Sequence, residues 1–421
     1  MAQYLIGIGI CLLGGLMMSR LAKKISLPAV TAYLVAGLLL GPFVIGKLGI
    51  PGIGFTSLEE AESLGILSQG ALGFIAFAIG NEFRLTQLKK MGKQAILVGI
   101  FESVITTVVV DIALITFHFL SPDLLPLPIA ITLGAIAAAT APAATLMVVK
   151  QYKAEGPLTK LLLLVVALDD AVGLMLFSVS FGIARALESG VVDILVIILE
   201  PIVEITLSLG LGALMGYLLH RTEKFFHSRS KRLSISVAYV LLAVGISLID
   251  IQVGGIHTGF SLLLVCMMMG TVFCNVCNFS EELMERVDRW TGPISVLFFV
   301  ISGAELDLSV ISKPLILLIG IVYIIFRSLG KYFGAGISCK LNHCDAKISK
   351  NLGITLLPQA GVALGMAQTA MALDGGPVIR NVVLFSVLVY ELIGPVMTKG
   401  ALMRAGEIDP EGATSARVSN S

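Results

Sequence analysis

The sequence predicts an all-α polytopic membrane protein, and three observations support this fold class. Of the 421 residues, 56% are hydrophobic and only 14% are charged, against roughly 25% charged in ordinary soluble domains. Apolar runs of about 20 residues, the length of a helix that crosses a bilayer, recur along the whole chain. Basic residues are concentrated in alternate loops between these runs.

These runs predict 13 transmembrane helices. Lys and Arg favour cytoplasmic loops, and this assignment places 23 of them in loops on one side and 4 on the other. The N-terminus is therefore expected outside a cell (inner or plasma) membrane and the C-terminus in the cytoplasm. The predicted spans are 4–19, 28–46, 63–83, 94–118, 127–149, 161–184, 193–219, 233–249, 256–275, 290–304, 314–338, 351–373 and 381–398.

The two halves of the chain resemble each other. The matched segments are FAIGNEFRL (77–85) with VISGAELDL (300–308), LGAIAAATAPAA (133–144) with LGITLLPQAGVA (352–363), and DDAVGLML (169–176) with YELIGPVM (390–397). They follow in the same order at nearly constant spacing, so helices 1–6 correspond to helices 8–13. With one connecting helix between them, the second unit enters from the opposite side. Such inverted repeats are typical of secondary transporters, which bind substrate near the midplane.

The repeat predicts the domain boundaries. We expect a first unit at 1–192, a connecting helix at 193–220, a second unit at 221–402 and a short cytoplasmic tail at 403–421, with no appended nucleotide-binding domain.

Proline interrupts one helix in each half. The fifth span contains ATAPAAT (139–145) and the twelfth contains LPQAG (357–361). Proline removes a backbone donor and kinks a helix, which leaves carbonyl groups in need of other partners. Because the two positions correspond in the repeat, two crossed discontinuous helices are favoured over two kinked but continuous ones.

Polar residues from several predicted helices lie at one depth, roughly 12–15 Å into the membrane at 1.5 Å per helical residue. A charge at such depth costs about 2.5–3.5 kcal/mol, so it usually pairs or lines a water-filled pathway. The residues of this layer are Asp169, Asp170, Lys331, Arg327, Thr140, Gln359 and Glu391.

The adjacent acids Asp169 and Asp170 differ in what they are expected to do. Asp169 has an obvious structural partner in Lys331. Neighbouring helical residues point about 100° apart, so one base does not satisfy both carboxylates, and Asp170 is expected to face a cavity. There it can take a proton or a hard monovalent cation, for which oxygen ligands are natural. The adjacent acids therefore predict that protons and a cation compete for binding at Asp170.

Several other polar residues receive less specific predictions. Glu102, Asp111, Glu200 and Glu204 are expected to pair locally or to lie near an interface rather than on a pathway. Capping and funnel roles stay open for Glu82 and Glu305. His257 is expected to have a structural role near a helix start, and Cys274 and Cys277 to be small apolar residues at a helix end.

The segments LDDAVGL (168–174) and GKYFGAGISCKL (330–341) resemble the monovalent cation/proton antiporters, specifically the second branch with its Asp-Asp pair. The likeness covers about residues 4–400. It implies a homodimer in which a core domain with two crossed, unwound helices moves against a dimerisation domain in an elevator-like manner. It also implies that Asp170 binds the cation and the proton, that Asp169 is the partner of Lys331, and that Thr140 is a neighbour of the site.

The chain departs from the family pattern at two places. Ala141 stands where the first branch has an Asp, which argues against that branch. Related exchangers often carry an Arg and a Glu after the proline of helix 12, where this chain has Gln359, Ala360 and Gly361. Arg327 and Glu391 are candidates for the missing charge balance.

The resemblance implies a secondary active transporter that exchanges a monovalent cation, with Na⁺ favoured, for protons. A K⁺/H⁺ antiporter or K⁺ efflux protein of the same superfamily is the alternative, and Li⁺ also stays open. Exchange is expected to be electrogenic, because Lys331 would shed a second proton when Asp169 turns to the cation. An intramembrane enzyme with a metal at the two Asp residues is disfavoured. The expected partners are the cation, protons and the lipid bilayer, with no cofactor and no nucleic acid.

Overall fold

A computed structural model describes residues 2–24, 27–50, 53–81, 84–189, 194–226, 228–249, 251–253, 256–258, 260–277, 279–306, 308–309 and 313–408. This part of the chain is almost entirely helical. Its α-helices are α1 (Ala2–Lys24), α2 (Ala29–Leu40), α3 (Leu58–Glu62), α4 (Gly65–Asn81), α5 (Leu85–Leu120), α6 (Leu127–Ile136), α7 (Pro142–Gln151), α8 (Pro157–Ser189), α9 (Ile194–Glu223), α10 (Arg229–Ser247), α11 (Leu262–Val276), α12 (Ser280–Ala304), α13 (Pro314–Leu341), α14 (Ala346–Thr355), α15 (Gly361–Thr369) and α16 (Gly376–Ala405).

The helices agree with a multi-pass membrane protein. Eight of those in the described ranges are long and apolar enough to cross a membrane. Each of the thirteen predicted spans coincides with one helix, or with one pair of shorter helices separated by a break. Thirteen crossings and the inverted repeat stay predictions.

The predicted start of the ninth span is wrong. Strands β1 (Ile251–Val253) and β2 (Ile256–Thr258) pair in antiparallel fashion, with Val253 opposite Ile256. Gly254 and Gly255 stand between them in the sequence, and a Gly-Gly pair favours two-residue hairpin loops. Helix α11 begins only at Leu262, where the Ser261 hydroxyl accepts a hydrogen bond from the N–H of Leu264 at 3.4 Å.

Apolar side chains of the described residues form three clusters, and the two largest share no buried residue. The scaffold cluster contains side chains of α1, α2, α4 and α9–α12, together with a few from α7 and α8. The core cluster contains side chains of α5, α6, α8, α13, α15 and α16. Each cluster draws helices from both halves of the chain. The packing therefore groups the helices differently from the sequence-based division at 192, 220 and 402, which remains a prediction.

Glycine allows the scaffold helices to touch along their backbones. A Cβ on Gly37 of α2 would lie 1.9 Å from a carbonyl oxygen of α12, and one on Gly303 of α12 would lie 2.2 Å from a carbonyl oxygen of α2. Gly80 and Gly270 join α4 and α11 in the same reciprocal way. No larger residue fits these positions unless the helices move apart.

Both predicted helix interruptions are present. In the fifth predicted span α6 ends at Ile136 and α7 begins at Pro142, and in the twelfth α14 ends at Thr355 and α15 begins at Gly361. Pro142 suits its place as the first residue of α7, where its missing N–H costs nothing. The other polar groups at the two breaks form part of the candidate site.

The segment after α16 is bound to the start of α8. The carboxylate of Glu407 accepts hydrogen bonds from the backbone N–H of Leu158 at 2.6 Å and of Thr159 at 2.7 Å, and from the Thr159 hydroxyl at 2.6 Å. A carboxylate at a helix N-terminus is favoured by the helix dipole. The predicted tail at 403–421 therefore begins within the fold, while residues 409–421 lie outside the described ranges.

Candidate functional site

The two interrupted helices meet at their breaks. The backbone N–H of Ala141 donates to the carbonyl oxygen of Pro358 at 2.8 Å. The side-chain amide of Gln359 donates to the carbonyl oxygen of Ile136 at 3.1 Å. Each break therefore supplies partners to the other, and the crossing brings most of the predicted polar layer together.

Arg327 of α13 binds carbonyl oxygens on both sides of the crossing. Its side chain is 0% exposed. Nε donates to Ala137 at 3.0 Å, Nη2 to Ala139 at 2.6 Å and Nη1 to Leu357 at 2.7 Å. The guanidinium also lies 4.4 Å from the ring centre of Tyr390. Hydrogen bonds from a charged donor are about twice as strong as neutral ones, so Arg327 holds the two breaks in register.

Lys331, one turn further along α13, contacts two carboxylates and one carbonyl group. Its Nζ lies 3.2 Å from Oδ2 of Asp169 and 3.0 Å from Oε1 of Glu102, and donates to the carbonyl oxygen of Ala138 at 2.6 Å. All three charged side chains are 0% exposed. The contact expected between Asp169 and Lys331 is present, and Glu102 adds a second acid to it.

Glu102 was expected to pair locally or to lie near an interface, and its side chain in addition reaches across to Lys331 of α13. Its Oε1 also accepts a hydrogen bond from the Thr106 hydroxyl one turn away, at 3.0 Å. A signal was present in the sequence. Glu102 is about the ninth residue from the cytoplasmic end of its predicted span, the same depth as the Asp pair.

Asp169 of α8 is fully hydrogen-bonded. Oδ1 accepts from the Ser103 hydroxyl at 3.0 Å, and Oδ2 accepts from the Thr140 hydroxyl at 2.8 Å and from Lys331. Thr140, in the break before α7, also lies 3.3 Å from the carbonyl oxygen of Leu356 in the other break. The Asp169 carboxylate thus joins α5, α8, α13 and the first break, and Thr140 extends this network to the second break.

Asp170, the next residue, has a different environment. Its side chain is 1% exposed, and neither carboxylate oxygen has a hydrogen-bond partner among the described residues. A buried carboxylate without a partner is costly in apolar surroundings. This is the most unusual group of the site.

Gln359 has a structural position in the crossing. Its Oε1 accepts from the Ser386 hydroxyl at 2.8 Å, and its Nε2 lies 3.0 Å from the hydroxyl of Tyr323. These contacts tie α16 and α13 to the second break. Among the described residues, the Gln359 side chain makes no hydrogen bond to Asp169, Asp170 or Lys331.

Arg327 and Glu391, the candidates for the missing charge balance, make no ion pair with each other among the described residues. All three nitrogen types of the Arg327 guanidinium bind carbonyl oxygens, as described above. Glu391 instead lines a cavity of about 310 Å³ between the two apolar clusters. We name this space the interface cavity; its walls come from α7, α15 and α16 on one side and α4, α11 and α12 on the other.

A second cavity lies at the opposite end of this boundary. It measures about 860 Å³, and its lining includes Lys150 of α7 and Asp288 of α12, which form an ion pair at 2.7 Å. Asp169 and Asp170 do not line either of the two cavities described. Neither is therefore the cavity that Asp170 was expected to face.

The remaining predicted residues lie elsewhere or are not described. Asp111 is half-buried against Gly134, and its Oδ1 lacks a hydrogen-bond partner. Glu305 follows α12 as its C-terminal cap and lines the interface cavity. Cys274 and Cys277 are buried at the end of α11. Glu204 of α9 is half-buried, while Glu82 and the side chains of Glu200 and His257 lie outside the described residues.

A helical membrane protein with two interrupted helices that cross beside buried carboxylates and a lysine has the architecture of a secondary transporter. The transmembrane sodium/hydrogen exchanger family model matches residues 8–404 of this chain. The chain belongs to that family, within the monovalent cation/proton antiporter superfamily. It is a transporter rather than an enzyme.

Two relatives with assigned names match most of the chain. The Na⁺/H⁺ antiporter NhaS4 of Synechocystis is 24% identical over 364 residues, which cover 84% of this chain and 84% of that protein. The K⁺/H⁺ antiporter subunit KhtU of Bacillus subtilis is 21% identical over 387 residues, covering 90% of this chain and 89% of the subunit. The two relatives are named for different cations.

Solved structures of the sodium proton antiporter MjNhaP1 from Methanocaldococcus jannaschii share the fold. A structure at pH 8 has a TM-score of 0.71 and an electron-microscopy structure one of 0.75, both at 18% identity. They cover 96% of this chain, and the chain covers 99% and 98% of them.

Proposed function

We propose that this chain exchanges Na⁺ for protons by alternating access, with Asp170 as the place for which the two ions compete. The observation that carries the proposal is the Asp170 carboxylate, buried and without a hydrogen-bond partner beside a fully bonded neighbour. A group in this position is stabilised by taking a proton or a cation. Displacement of the proton by the cation, and of the cation by the proton, is the elementary step of an antiporter.

Asp169 and Thr140 complete the proposed cation site. Both are oxygen donors, and hard cations prefer oxygen ligands. The Thr140 hydroxyl already bonds Asp169 at 2.8 Å, so a movement of either group towards Asp170 changes the position of the other. Asp169 must also loosen its contact with Lys331 when it turns to the cation. Cation binding would therefore change a contact of α13, the helix that carries Lys331.

The choice of Na⁺ rests on the Asp169–Asp170 pair of the second branch, and K⁺/H⁺ exchange is the alternative. The relatives support both, because NhaS4 is named for Na⁺ and KhtU for K⁺. Ala141 in place of an Asp after Thr140 supports the second branch. Exchange assayed with Na⁺, Li⁺ and K⁺ in turn determines which of these cations is transported.

Exchange is proposed to be electrogenic, with a second proton released from Lys331. A buried ammonium that loses its carboxylate partner sheds its proton more readily. When Asp169 turns to the cation, Lys331 would lose that partner. Two protons would then move for each cation, and transport would carry net charge.

Electroneutral exchange is a second candidate, and one observation favours it. Glu102 lies 3.0 Å from Lys331 and is as deeply buried. An ionised Glu102 would keep the ammonium paired after Asp169 has moved away. One proton would then move for each cation.

Purified protein in sealed vesicles tests these proposals. We expect cation-dependent proton movement that responds to an imposed membrane potential, and Lys331→Gln, if active, should lose that response. Wild-type exchange that ignores the potential supports the electroneutral candidate, and Glu102→Gln should then make exchange voltage-dependent. Wild-type protein that moves no protons with any cation contradicts antiport altogether.

The proposal extends to the assembly and orientation. We propose a homodimer in which the core cluster moves against the scaffold cluster, with the N-terminus outside and the C-terminus in the cytoplasm. The 23-to-4 distribution of basic residues supports this orientation.

Cys introduced near residue 226 should be labelled only from the cytoplasm, and Cys near residue 188 only from outside. Labelling of both from one side contradicts the predicted topology.

A further inference from the structure

The interface cavity contains acidic groups that the proposed exchange at Asp170 does not use. Glu391 of α16 lines it from the core side and Glu305 from the scaffold side. The described lining residues include no Lys, Arg or His. A cavity with charge of one sign and low-dielectric walls concentrates counter-ions, so this space favours cations.

Glu391 is built into the wall rather than lying on a surface. Its side chain is 4% exposed, and its Oε2 has no hydrogen-bond partner. The Ser68 hydroxyl, which lines the same cavity from α4, also lacks a partner. Buried polar groups are normally hydrogen-bonded. Two such groups at one cavity point to a ligand that supplies the missing contacts.

The cavity leads to the helix crossing. Ala141 and Pro142 of its lining follow Thr140, and Ala360 and Gly361 follow Gln359. Both breaks thus border the cavity on one side and the Asp169 cluster on the other. On the proposed orientation, Ser68 near the start of α4 and Glu305 after α12 lie towards the outer membrane face. A cation that enters there meets Glu391 before it reaches the crossing.

We propose that Glu391, with Glu305 across the interface cavity, forms a second cation-binding site. It holds a dehydrated or partly hydrated monovalent cation on its way to Asp170. This inference rests on the proposed exchange for its direction of movement, but binding at Glu391 is independent of Asp170. The site is separate because the Asp pair does not line this cavity.

Binding is tested in protein that cannot use Asp170. Thermal unfolding of purified Asp170→Asn is followed with rising NaCl or KCl against choline chloride at equal ionic strength. We expect a cation-dependent rise in the unfolding temperature, which Asp170→Asn combined with Glu391→Gln loses. An equal rise in both proteins, or no rise in either, overturns the second site and leaves the Asp170 proposal intact.

Transport by the single variant Glu391→Gln gives the second measurement. In vesicles we expect the KM for the cation offered on the cavity side to rise roughly tenfold, which is a loss of about 1.4 kcal/mol, with kcat near wild type. Glu391→Asp, which keeps the carboxylate, should recover most of the affinity, and Ser302→Ala serves as an uncharged control in the same cavity. A wild-type KM in Glu391→Gln overturns the proposal.

Folding and function are separated by two further comparisons. If Glu391→Gln does not fold, Glu305→Gln replaces it, with a smaller rise in KM expected and an unchanged KM contradicting the site. If wild-type protein catalyses no exchange, the proposed function fails. The thermal measurement on Asp170→Asn still decides whether the second site binds a cation.

Discussion

Asp169 and Asp170 are neighbours in the sequence, but the two sides of α8 on which they lie are built differently. The Asp169 carboxylate accepts hydrogen bonds from Ser103, Thr140 and Lys331. The Asp170 carboxylate, equally buried, accepts none from the described residues. The same chemical group is thus part of a network on one side of the helix and unsatisfied on the other.

The difference separates stability from transport. Removing one partner of a buried charge network typically costs about 3–5 kcal/mol, because it leaves another charge uncompensated. Removing a buried charge that has no partner relieves a desolvation cost. The Asp169 side is therefore expected to stabilise the fold as well as to add ligands to the cation, whereas Asp170 is expected to serve ion binding alone.

The largest expected effect comes from Asp170→Asn. Exchange in vesicles should be abolished, while the unfolding temperature should stay equal to wild type or rise. Asp169→Asn is the matched variant, and it should lower the unfolding temperature because Lys331 loses a partner. Normal turnover by Asp170→Asn would rule out the proposed site. Equal stability of the two variants would contradict the difference between the two sides.

Substitution of Arg327 tests how far the buried hydrogen bonds at the helix crossing stabilise the fold. Arg327→Met leaves three carbonyl oxygens of the crossing without their donor, and each unsatisfied group costs about 1–3 kcal/mol. We expect a strongly lowered unfolding temperature or failure to accumulate in the membrane. Arg380→Met, at an exposed position just inside α16, is the control. A stability close to wild type for Arg327→Met would show that the crossing does not depend on this side chain.

The pH dependence of exchange tests whether protons and the cation compete at Asp170. Exchange should fall at acid pH, because protons outcompete the cation there. By linkage, a tenfold rise in cation concentration should move the acid limb down by about one pH unit if one proton is displaced, and by about 0.5 if two are displaced. Initial rates at several pH values and cation concentrations give this shift. A limb that stays fixed would show that the two ions do not share a site.

The smallest expected effect is that of Thr140→Val. It removes the hydroxyl that bonds Asp169, a loss of roughly 1 kcal/mol for one hydrogen bond. We expect a severalfold higher KM for the cation with only a small fall in the unfolding temperature. Thr140→Ser keeps the hydroxyl and should behave as wild type. An unchanged KM in Thr140→Val would remove Thr140 from the proposed cation site.

Local chemistry explains how much of the fold and site could be predicted from the sequence. Apolar length predicted the helices, and Pro142 and Pro358 marked both breaks. The depth of Lys331 and Asp169 predicted their contact. The hairpin before α11 was missed because Ile, Val and Thr fit an apolar helix as well as a strand.

The contact between Glu102 and Lys331 was missed for a different reason. Depth along a helix can be counted from the sequence, but the face on which a side chain lies relative to other helices depends on tertiary packing. The same limit applies to Arg327, whose partners are carbonyl oxygens that become available only at the breaks. No side-chain pattern in the sequence marks such acceptors.

The bond between Glu407 and the start of α8 has a consequence for spectroscopy. Because Glu407 caps the helix that carries Asp169 and Asp170, the last turn of α16 should follow any displacement of that helix. A spin label or fluorophore at exposed Arg404 would then report on the core cluster, and one at exposed Arg289 of α12 on the scaffold cluster. Distance distributions between the two labels, recorded with and without cation, would test the proposed elevator-like motion far from the ion site.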